Sequence, residues 1–505
     1  MPQYLLAHDL GTSGNKAALY TTDGELVASK TYSYDTKYFN ANWSEQNPQD
    51  WWQAVCNSTK ELIRNIDAKQ IICVSFSAQM MGCLCVDKLG MPLKNSIIYS
   101  DQRAVKETNK ILDQIDAMDF YKIVGHRASP SYSLEKLMWI KNNEPEIYKN
   151  TYKMLNAKDY IAFKLTGNMA TDYTDASGTN VFDLNTYKWS ETIINIAGID
   201  GDKLPEVHES TYIVGEITKE AAAETGLKQG TPVVIGAGDG ICASVGAGCI
   251  KPGIAYNYIG SSAWIGITSE KPIYDVKMRT MTWAHAVPGY MNAIGTMQTA
   301  GTSYQWLKNE ICKIETMEAR EKGMNPYDIM NDEIEKSSPG AKGILFLPYL
   351  LGERTPHWNP NARGAFIGIN VAHKREDLLR AVMEGITYNL NTIVNIFRNY
   401  VPIDSMIVIG GGAKSKVWRQ MMADIYNLKI LKPKYLEEAT SMGAAVIGGI
   451  GVGEFESFDA ISKFIKIESE HEPNPDNKVI YEKTYQVFLH SYDALVDIYE
   501  ELAKL

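Results

Sequence analysis

The sequence predicts an α/β protein built from two large domains. Its 505 residues are more than one hydrophobic core usually supports, so two domains with a ligand cleft between them are expected. Strand-like runs also alternate with amphipathic stretches, as in α/β folds. Residues 51–66 repeat apolar side chains at helical spacing, and 71–76 form an apolar run typical of a buried strand. Small residues over 246–253 mark the expected boundary, which predicts domains 1–246 and 247–505.

The remaining elements continue this alternation. Helices are predicted over 131–141 and 156–165, a strand that begins at Thr231 ends in a Gly-rich acidic turn, and a long packing helix covers 477–505. After the boundary, two strands joined by a Gly-Ser turn at 259–263 repeat the plan of the N-terminus. The repeat indicates two domains of similar plan, each with a phosphate-binding turn.

The N-terminal strand runs directly into a turn that combines an acid, glycines, hydroxyls and a lysine. Gly11 and Gly14 let the backbone approach an anion, and the hydroxyls and the lysine can bind phosphate oxygens. An ordinary hairpin turn of the same composition is the alternative. A strand that resumes over 17–20 and a second tight turn over 22–25 favour a β-meander that carries a phosphate turn. The residues expected to bind phosphate are Thr12, Ser13 and Lys16, and Asp9 is expected to orient hydrated Mg²⁺.

Composition excludes several classes of protein. Fifty basic against sixty acidic residues give a net charge of −10, which repels polyanions, so nucleic acid is not an expected partner. No apolar run approaches the roughly 20 residues that span a bilayer, and the N-terminus does not resemble a signal peptide, so a cytoplasmic protein without a membrane partner is expected. Seven scattered cysteines favour reduced thiols over a disulfide framework. Cys83 and Cys85 lack the second ligand pair of a zinc site and are expected to alternate between core and surface.

Three further motifs complete a pattern with the opening turn. They are Gly-Ala-Gly-Asp at 236–239, Phe-Leu-Pro-Tyr-Leu-Leu-Gly-Glu-Arg-Thr-Pro-His at 346–357 and Ile-Val-Ile-Gly-Gly-Gly-Ala-Lys-Ser at 407–415. In this order the motifs resemble the FGGY carbohydrate kinases, whose actin-like (ribonuclease H-like) fold also occurs in hexokinase and the Hsp70 ATPase domain. The resemblance is closest to the xylulokinase branch, through Trp-Ser-Glu-Gln at 43–46 followed by Trp-Trp at 51–52. It implies two actin-like domains, a sugar-binding N-terminal one with the catalytic base and a nucleotide-binding C-terminal one.

The resemblance assigns the catalytic base to Asp239. The residues agree, because an acid beside glycines at a strand end can accept a hydroxyl proton, and phosphoryl transfer needs positioning and charge neutralisation more than covalent chemistry. A turn-capping aspartate is the alternative reading.

The resemblance also implies an ATP site in the second half. The glycines of the third motif lie between a strand and a helix-like stretch, where backbone can approach a nucleotide without obstruction; a plain helix N-terminal turn is the alternative. Glu353 and Arg354 are expected either to contact ligand or to form a buried ion pair. The residues predicted to bind the nucleotide are Ser261, Gly301, Gln305, Gly411, Gly412 and Ala413.

The sugar side departs from the xylulokinase pattern. Gln-Met-His-Gly in that branch is Gln-Met-Met-Gly at 79–82 here, so a thioether replaces an imidazole. A buried polar group left without a partner costs about 1–3 kcal/mol, enough to change the preferred sugar. His8, Ser100 and Gly240 also depart from the pattern and are expected near substrate or phosphate. The residues predicted to bind the sugar are Met80, Met81, Asp101, Arg103 and Asp239, with a surface salt bridge as the alternative for Asp101 and Arg103.

The function implied is ATP- and Mg²⁺-dependent phosphorylation of a small sugar or polyol, with D-xylulose to D-xylulose 5-phosphate first and gluconate, ribulose, another ketose or a tetritol as alternatives. A Rossmann dehydrogenase fits poorly, since Ile241 occupies the place of the third glycine. P-loop and protein-kinase motifs are absent from the sequence. A nucleotide-dependent sensor of the same fold remains an alternative. A homodimer is expected from the family alone.

Overall fold

The computed structural model describes residues 2–505 and confirms the predicted α/β architecture. Contacts divide the chain into two units. The first contains the chain up to Ile250 together with Ser269–Asn292 and Glu438–Ile465, and the second contains Lys251–Thr268, Ala293–Glu437 and Lys466–Leu505. The first division lies close to the predicted boundary, whereas the two later segments of the first unit are not predicted by the sequence. Among the described residues, none of the helices combines the length and the apolarity needed to cross a membrane.

The strands are short to medium in length, and several of them form the predicted hairpins. They are β1 (Tyr4–Leu10), β2 (Gly14–Thr21), β3 (Leu26–Ser33), β4 (Lys37–Phe39), β5 (Trp43–Gln46), β6 (Ile71–Ala78), β7 (Leu84–Val86), β8 (Ser96–Ile97), β9 (Lys153–Leu155), β10 (Ala170–Asp172), β11 (Phe182–Asp183), β12 (Lys188–Trp189), β13 (Glu206–His208), β14 (Ile213–Glu216), β15 (Pro232–Val234), β16 (Ala237–Gly238), β17 (Gly253–Ile259), β18 (Ala263–Ser269), β19 (Met281–Ala284), β20 (Met291–Met297), β21 (Leu345–Leu347), β22 (Ala365–Ile367), β23 (Ile403–Ile409), β24 (Lys429–Pro433) and β25 (Ile467–His471).

The α-helices include each predicted one, shifted by a few residues at the ends. They are α1 (Pro48–Leu62), α2 (Val105–Leu112), α3 (Ala117–Val124), α4 (Ser133–Asn143), α5 (Pro145–Asn150), α6 (Ala157–Thr166), α7 (Tyr173–Ser177), α8 (Glu191–Ala197), α9 (Lys219–Thr225), α10 (Asp239–Gly246), α11 (Gly301–Trp306), α12 (Lys313–Lys322), α13 (Pro326–Glu335), α14 (Arg375–Arg398), α15 (Lys416–Tyr426), α16 (Ala439–Gly451), α17 (Ile461–Phe464) and α18 (Lys478–Leu502).

The sheet of the first unit has the order β14-β15-β6-β1-β2-β3, with β16 also beside β6. Strand β1 is antiparallel to β2 and parallel to β6, and β16 is parallel to β6. Asp9 and Ala237 are both register partners of Ser77, one on each side of β6. Because parallel strands end at the same edge of a sheet, the segments that follow Asp9 and Ala237 start at one edge.

The sheet of the second unit repeats this plan. Strand β17 is antiparallel to β18 and parallel to β23, which is followed by β24 and β25. The predicted repeat of strand, Gly-Ser turn and strand is therefore present in both units.

The small residues before the predicted boundary have a packing role. Residues 239–246 form helix α10, and Asp239 is its first residue, whereas the sequence predicted an acidic turn there. Helix α10 packs on α16, and a Cβ atom added to Gly246 would overlap the carbonyl oxygen of Ala439. The close approach explains both the small residues and the inclusion of 438–465 in the first unit.

Strand β7 lies between two hydrophobic clusters. Cys83 and Cys85 face one cluster, whereas Leu84 and Val86 face the other, and all four are fully buried. The predicted alternation between core and surface is therefore wrong, because both faces of this strand are covered.

Candidate active site

Asp9 and Asp239 lie at one edge of the sheet of the first unit. The side chain of Asp9 accepts hydrogen bonds from Ser77 Oγ (2.7 Å) and Thr440 Oγ1 (2.7 Å). Thr440 belongs to α16, so a residue far along the chain helps to orient the N-terminal acid. Both acids are half-buried.

Burial, and then the negative charge of Asp9, raise the pKa of Asp239 to about 7, although the Gly240 N–H group donates to its Oδ1 at 2.7 Å. Burial acts in this direction because it disfavours the charged form. A carboxylate with a pKa near 7 can work as a general base at neutral pH. This is the property that the predicted role of Asp239 requires.

The opening turn is held by its carbonyl groups. Gly11 O accepts from the Tyr34 hydroxyl (2.5 Å), and Thr12 O accepts from Gln46 Nε2 (2.6 Å). Thr12 Oγ1 also donates to the Tyr99 hydroxyl (3.2 Å). These bonds fix the backbone of the turn through three residues of the same unit.

The outer residues of the turn differ in their surroundings. Ser13 is exposed, and Lys16 is half-buried with its Nζ 3.1 Å from Glu438 Oε1. The positive charge of Lys16 is therefore already compensated within the first unit. The sequence could not reveal this partner, because 422 positions separate the two residues.

The predicted sugar segment has an unusual backbone. Met81 has a φ of 62°, a left-handed conformation that non-glycine residues seldom adopt. Its carbonyl oxygen accepts from Lys136 Nζ (2.7 Å), which also donates to Ser131 O (2.5 Å). Lys136 is fully buried, and burial lowers its pKa to about 7. Sequence reasoning missed Lys136, which resembles any other lysine of an amphipathic helix.

Asp101 and Arg103 form a buried ion pair. Arg103 Nε and Nη2 donate to Asp101 Oδ1 (2.9 Å) and Oδ2 (2.7 Å), and Nη1 lies 2.9 Å from Glu45 Oε1. The guanidinium carbon also lies 3.9 Å from the ring centroid of Trp43. The alternative prediction was a surface salt bridge of Asp101 and Arg103. The two residues do pair, but the pair is buried. The predicted contact of both residues with a sugar stays a prediction.

Met80 packs close to the predicted base. Its side chain leaves no room for a Cβ atom on Gly238 or, at 3.0 Å, on Gly178. His8, in contrast, faces the core, where its Nδ1 lies 3.2 Å from Asn15 Nδ2 and burial lowers its pKa to about 4. The prediction that His8 lies near substrate is wrong, since neighbours on a strand point to opposite faces.

The second unit contains a cavity of about 410 Å³. Its wall includes the end of β17, helix α11 and the 3₁₀ turn that follows β23. Ala413 is fully buried and is the one predicted nucleotide residue outside the lining. The predicted residues that line the cavity are Ser261, Gly301, Gln305, Gly411 and Gly412.

Sequence reasoning missed the aromatic and amide part of this lining. The rings of Tyr304 and Tyr327 stack with centroids 5.2 Å apart. The hydroxyls of Tyr304 and Ser415 donate to Asn331 Oδ1 at 3.1 and 3.0 Å. Tyr327 and Asn331 lie on α13, outside every motif, so no sequence pattern marked them.

Glu353 is buried in the second unit. Its Oε1 accepts from the backbone N–H groups of Gln298 and Arg354, each at 2.7 Å, and its Oε2 accepts from Asn389 Nδ2 (3.0 Å). Burial raises the pKa of Glu353 to about 8. Because the side chain of Arg354 is exposed, the predicted buried ion pair is wrong, and Glu353 instead joins three chain segments.

Comparison with known proteins identifies the family of this chain. The N-terminal domain model of the FGGY family of carbohydrate kinases matches residues 4–246, and the C-terminal domain model matches 255–452. A gluconokinase of Bacillus licheniformis is 34% identical, over 100% of this chain and 98% of the relative. A xylulose kinase of Bacillus subtilis (strain 168) is also 34% identical, over 98% of each chain.

A solved structure also resembles this chain over its full length. The ligand-bound xylulose kinase from Lactobacillus acidophilus superposes with a TM-score of 0.91 at 27% identity, over 99% of this chain and 100% of that one. The predicted family and its two-domain α/β fold are thus confirmed. The chain belongs to the FGGY family of carbohydrate kinases.

Proposed function

We propose that this chain transfers the terminal phosphate of ATP to a hydroxyl group of a small sugar or polyol, with Asp239 as general base. D-xylulose to D-xylulose 5-phosphate is the first candidate reaction. The observation that carries the proposal is the pKa of Asp239, raised to about 7 at a half-buried sheet edge beside Asp9. A base with this pKa is partly deprotonated at neutral pH and is basic enough to accept a hydroxyl proton.

In the proposed reaction, Asp239 accepts the proton of the sugar hydroxyl while the oxygen of that hydroxyl attacks the terminal phosphorus atom of ATP. The bond to the bridging oxygen of ATP breaks, and ADP leaves. Positioning and charge neutralisation supply most of the acceleration in such transfers. Asp239 therefore has to be held in place and kept free to accept a proton.

The opening turn is the proposed phosphate site. Thr12 and Ser13 offer hydroxyl groups, and Lys16 offers a positive charge, although its Nζ also forms an ion pair with Glu438. The described residues contain no group of three acidic, His or Cys side chains able to hold a metal by themselves. This fits Mg²⁺, which keeps several waters and binds one or two carboxylates plus phosphates. Asp9 is the proposed ligand, and Mg²⁺ would neutralise the phosphate charge.

The cavity of the second unit is the proposed ATP site. Its lining combines glycine backbone at Gly411 and Gly412 with the stacked rings of Tyr304 and Tyr327. Glycine backbone lets a ribose or phosphate approach closely, and aromatic rings offer a flat apolar face to a base.

The charges around the proposed sugar residues favour a neutral sugar. Arg103 is bound to Asp101 and Glu45, and Lys136 is bound to two backbone carbonyls. Arg103 is neutralised by these two carboxylates, and Lys136 is fully buried, so neither cation is placed to bind the carboxylate of an aldonate, and D-xylulose or another neutral polyol is favoured. Gluconate is the second candidate, because the gluconokinase is as similar to this chain as the xylulose kinase.

The test is an ADP-release assay with D-xylulose, ribulose, gluconate, glycerol and tetritols, run with the wild-type protein and Asp239→Ala. We expect the highest rate with D-xylulose and a loss of about 10²–10⁴ in kcat for the variant. A higher rate with gluconate would replace the first candidate with the second. ATP hydrolysis that no polyol stimulates would contradict the proposal and favour a sensor.

A further inference from the structure

A chain of buried hydrogen bonds ends at the residue before Asp239. The backbone N–H group of Gly238 donates to Thr174 Oγ1 (2.9 Å), and the same hydroxyl donates to Asp172 Oδ2 (2.7 Å). Thr174 and Asp172 are fully buried. The hydroxyl is thus an acceptor on one side and a donor on the other.

Asp172 is held so that the hydroxyl has one orientation. Its Oδ2 also accepts from the Thr174 N–H group (3.0 Å) and from Ser210 Oγ (2.6 Å). Its Oδ1 lies 2.9 Å from Nζ of Lys158, a fully buried lysine that also contacts Asp159 and Asp175. Because the Thr174 hydroxyl donates its hydrogen to Asp172, a lone pair of that hydroxyl faces the N–H group of Gly238.

The N–H group of Gly238 needs a hydrogen-bond partner because Gly238 is buried. A Cβ atom at this position would overlap the side chain of Met80, which would have to move. The two-residue strand β16 ends at Gly238 and α10 begins at Asp239. A rotation of the peptide group between Ala237 and Gly238, which carries this N–H group, would therefore shift Gly238 and with it the carboxylate of Asp239 relative to the sheet edge.

We propose that Thr174 is a positioning residue for the general base: its hydroxyl, oriented by Asp172, fixes the Gly238 peptide and thereby the direction of the Asp239 side chain. This inference rests on the proposed function of Asp239. It predicts a larger defect in kcat than in either KM, because a displaced base slows proton removal, whereas the predicted ATP residues and the other four predicted sugar residues are not altered by the substitution.

The experiment compares three variants in the ADP-release assay, with the panel sugar that gives the highest rate. Thr174→Val keeps the shape but removes the acceptor, and we expect kcat to fall about 10- to 100-fold with both KM values within about twofold of wild type. Thr174→Ser restores the hydroxyl and is expected to recover most of kcat. Ser210→Ala removes one of several donors to Asp172, which stays held by the Thr174 N–H group and by Lys158, and is expected to leave kcat nearly unchanged.

A readout without catalysis accompanies the kinetics. Hydrogen exchange of a peptide that contains Gly238 should be faster by about tenfold in Thr174→Val and unchanged in Ser210→Ala. If Thr174→Val does not fold, Thr174→Ala takes its place with the same expectations, because it adds no apolar branch beside the N–H group.

Two results would overturn the inference. Wild-type kcat in Thr174→Val would show that the hydroxyl does not position the base, and an equal loss in Ser210→Ala would show a general effect of the buried network. Asp239→Asn separates this failure from that of the proposed function. If Asp239→Asn loses kcat while Thr174→Val keeps it, only the positioning role is wrong; if Asp239→Asn keeps kcat, both are wrong.

Discussion

Two hairpins, β1–β2 in the first unit and β17–β18 in the second, share a backbone plan but differ in chemistry. Each joins antiparallel strands through a three-residue turn that begins with glycine, and each first strand also pairs in parallel with a later strand. At the matching register position, the first hairpin pairs Asp9 with Lys16, whereas the second pairs Tyr258 with Trp264. The rings of that second pair stack with centroids 4.0 Å apart.

The two hairpins therefore share the backbone of the turn, whereas the side chains at the strand end decide whether the site is charged or aromatic. In the first unit these side chains are charged, and the charge of Asp9 contributes to the raised pKa of Asp239. In the second unit they are aromatic, and the neighbouring cavity is lined by glycines, tyrosines and amides. We therefore expect changes in the first unit to affect the reaction and changes in the second to affect nucleotide binding.

The largest expected effect tests whether the chemistry belongs to the first unit. Asp239→Asn keeps the size of the side chain but cannot accept the hydroxyl proton, so we expect kcat to fall about 10²–10⁴-fold. The KM for ATP should stay within about threefold, because the proposed ATP residues are untouched. The measurement is steady-state ADP release with ATP varied at saturating sugar. An equal loss in ATP affinity would break the division of roles between the units.

The next effect is the pH dependence of the reaction. Asp239 has to be deprotonated to accept a proton, and its pKa is raised to about 7. We expect kcat/KM for the sugar to fall about tenfold per pH unit below this value and to level off above it. Nucleotide binding measured by calorimetry in the absence of sugar should vary much less over the same range. A flat rate profile between pH 5 and 8 would contradict the assignment.

The same pKa has a consequence for stability. The folded-state pKa of Asp239 lies above its ordinary value of 3.8, so the folded protein binds more protons than the unfolded chain between those two pH values. The free energy of unfolding contributed by this residue therefore falls as the pH rises through that window. Asp239→Asn should accordingly gain thermal stability relative to wild type at pH 8, with a smaller gain at pH 5.

The sequence predicted the fold and the motif residues because their signals are local. Apolar periodicity marked α1, α4, α6 and β6, and glycine-rich turns marked the ends of strands in both units. Five of the six predicted nucleotide residues line one cavity. Local patterns of this kind need no knowledge of tertiary contacts.

The sequence could not predict the partners that tune these residues. Glu438 and Thr440 reach Lys16 and Asp9 from more than 400 positions away, and Lys136 contacts Met81 across 55 positions. The small residues near 246 signalled a boundary and also a close helix contact, and composition alone cannot separate these two causes. Which residue compensates which charge depends on tertiary packing, and composition does not encode it.

A prediction of moderate size tests whether the second unit binds ATP through the shape of its cavity. A Cβ atom on Gly411 would meet only the Ile259 carbonyl oxygen, at 4.0 Å, and the residue is exposed beside the cavity. Gly411→Val should therefore occupy space needed by ATP and raise the KM for ATP about tenfold, with kcat at saturating ATP nearly unchanged. The melting temperature should be close to that of wild type.

Gly301→Ala is the matched control in the same cavity. Its Cβ atom would overlap the carbonyl oxygen of Gly260, so we expect a lower melting temperature as well as weaker ATP binding. If Gly411→Val lowered kcat and left the KM for ATP unchanged, the second unit would take part in the chemistry, and the comparison would fail.

The smallest expected effect concerns Lys136, which contributes a charge to the first unit without being proposed to contact substrate. Lys136→Met removes the hydrogen bond to the carbonyl oxygen of Met81 and leaves the left-handed backbone there unsupported. We expect the KM for the sugar to rise about three- to tenfold, a loss typical of one ordinary hydrogen bond, with the KM for ATP unchanged. Steady-state kinetics with sugar and ATP varied in turn measures both.

Thermal unfolding distinguishes this effect from simple damage. Lys136 is fully buried and burial lowers its pKa, which shows that its charge is held at a cost in solvation. Replacement by methionine removes that cost and the two hydrogen bonds together, so the melting temperature should change little. A large fall in melting temperature with an unchanged KM for the sugar would mean that Lys136 stabilises the fold without shaping the sugar segment. The rise in KM without loss of stability would instead show that even the binding function of the first unit depends on a buried charge, unlike the glycine-lined cavity of the second.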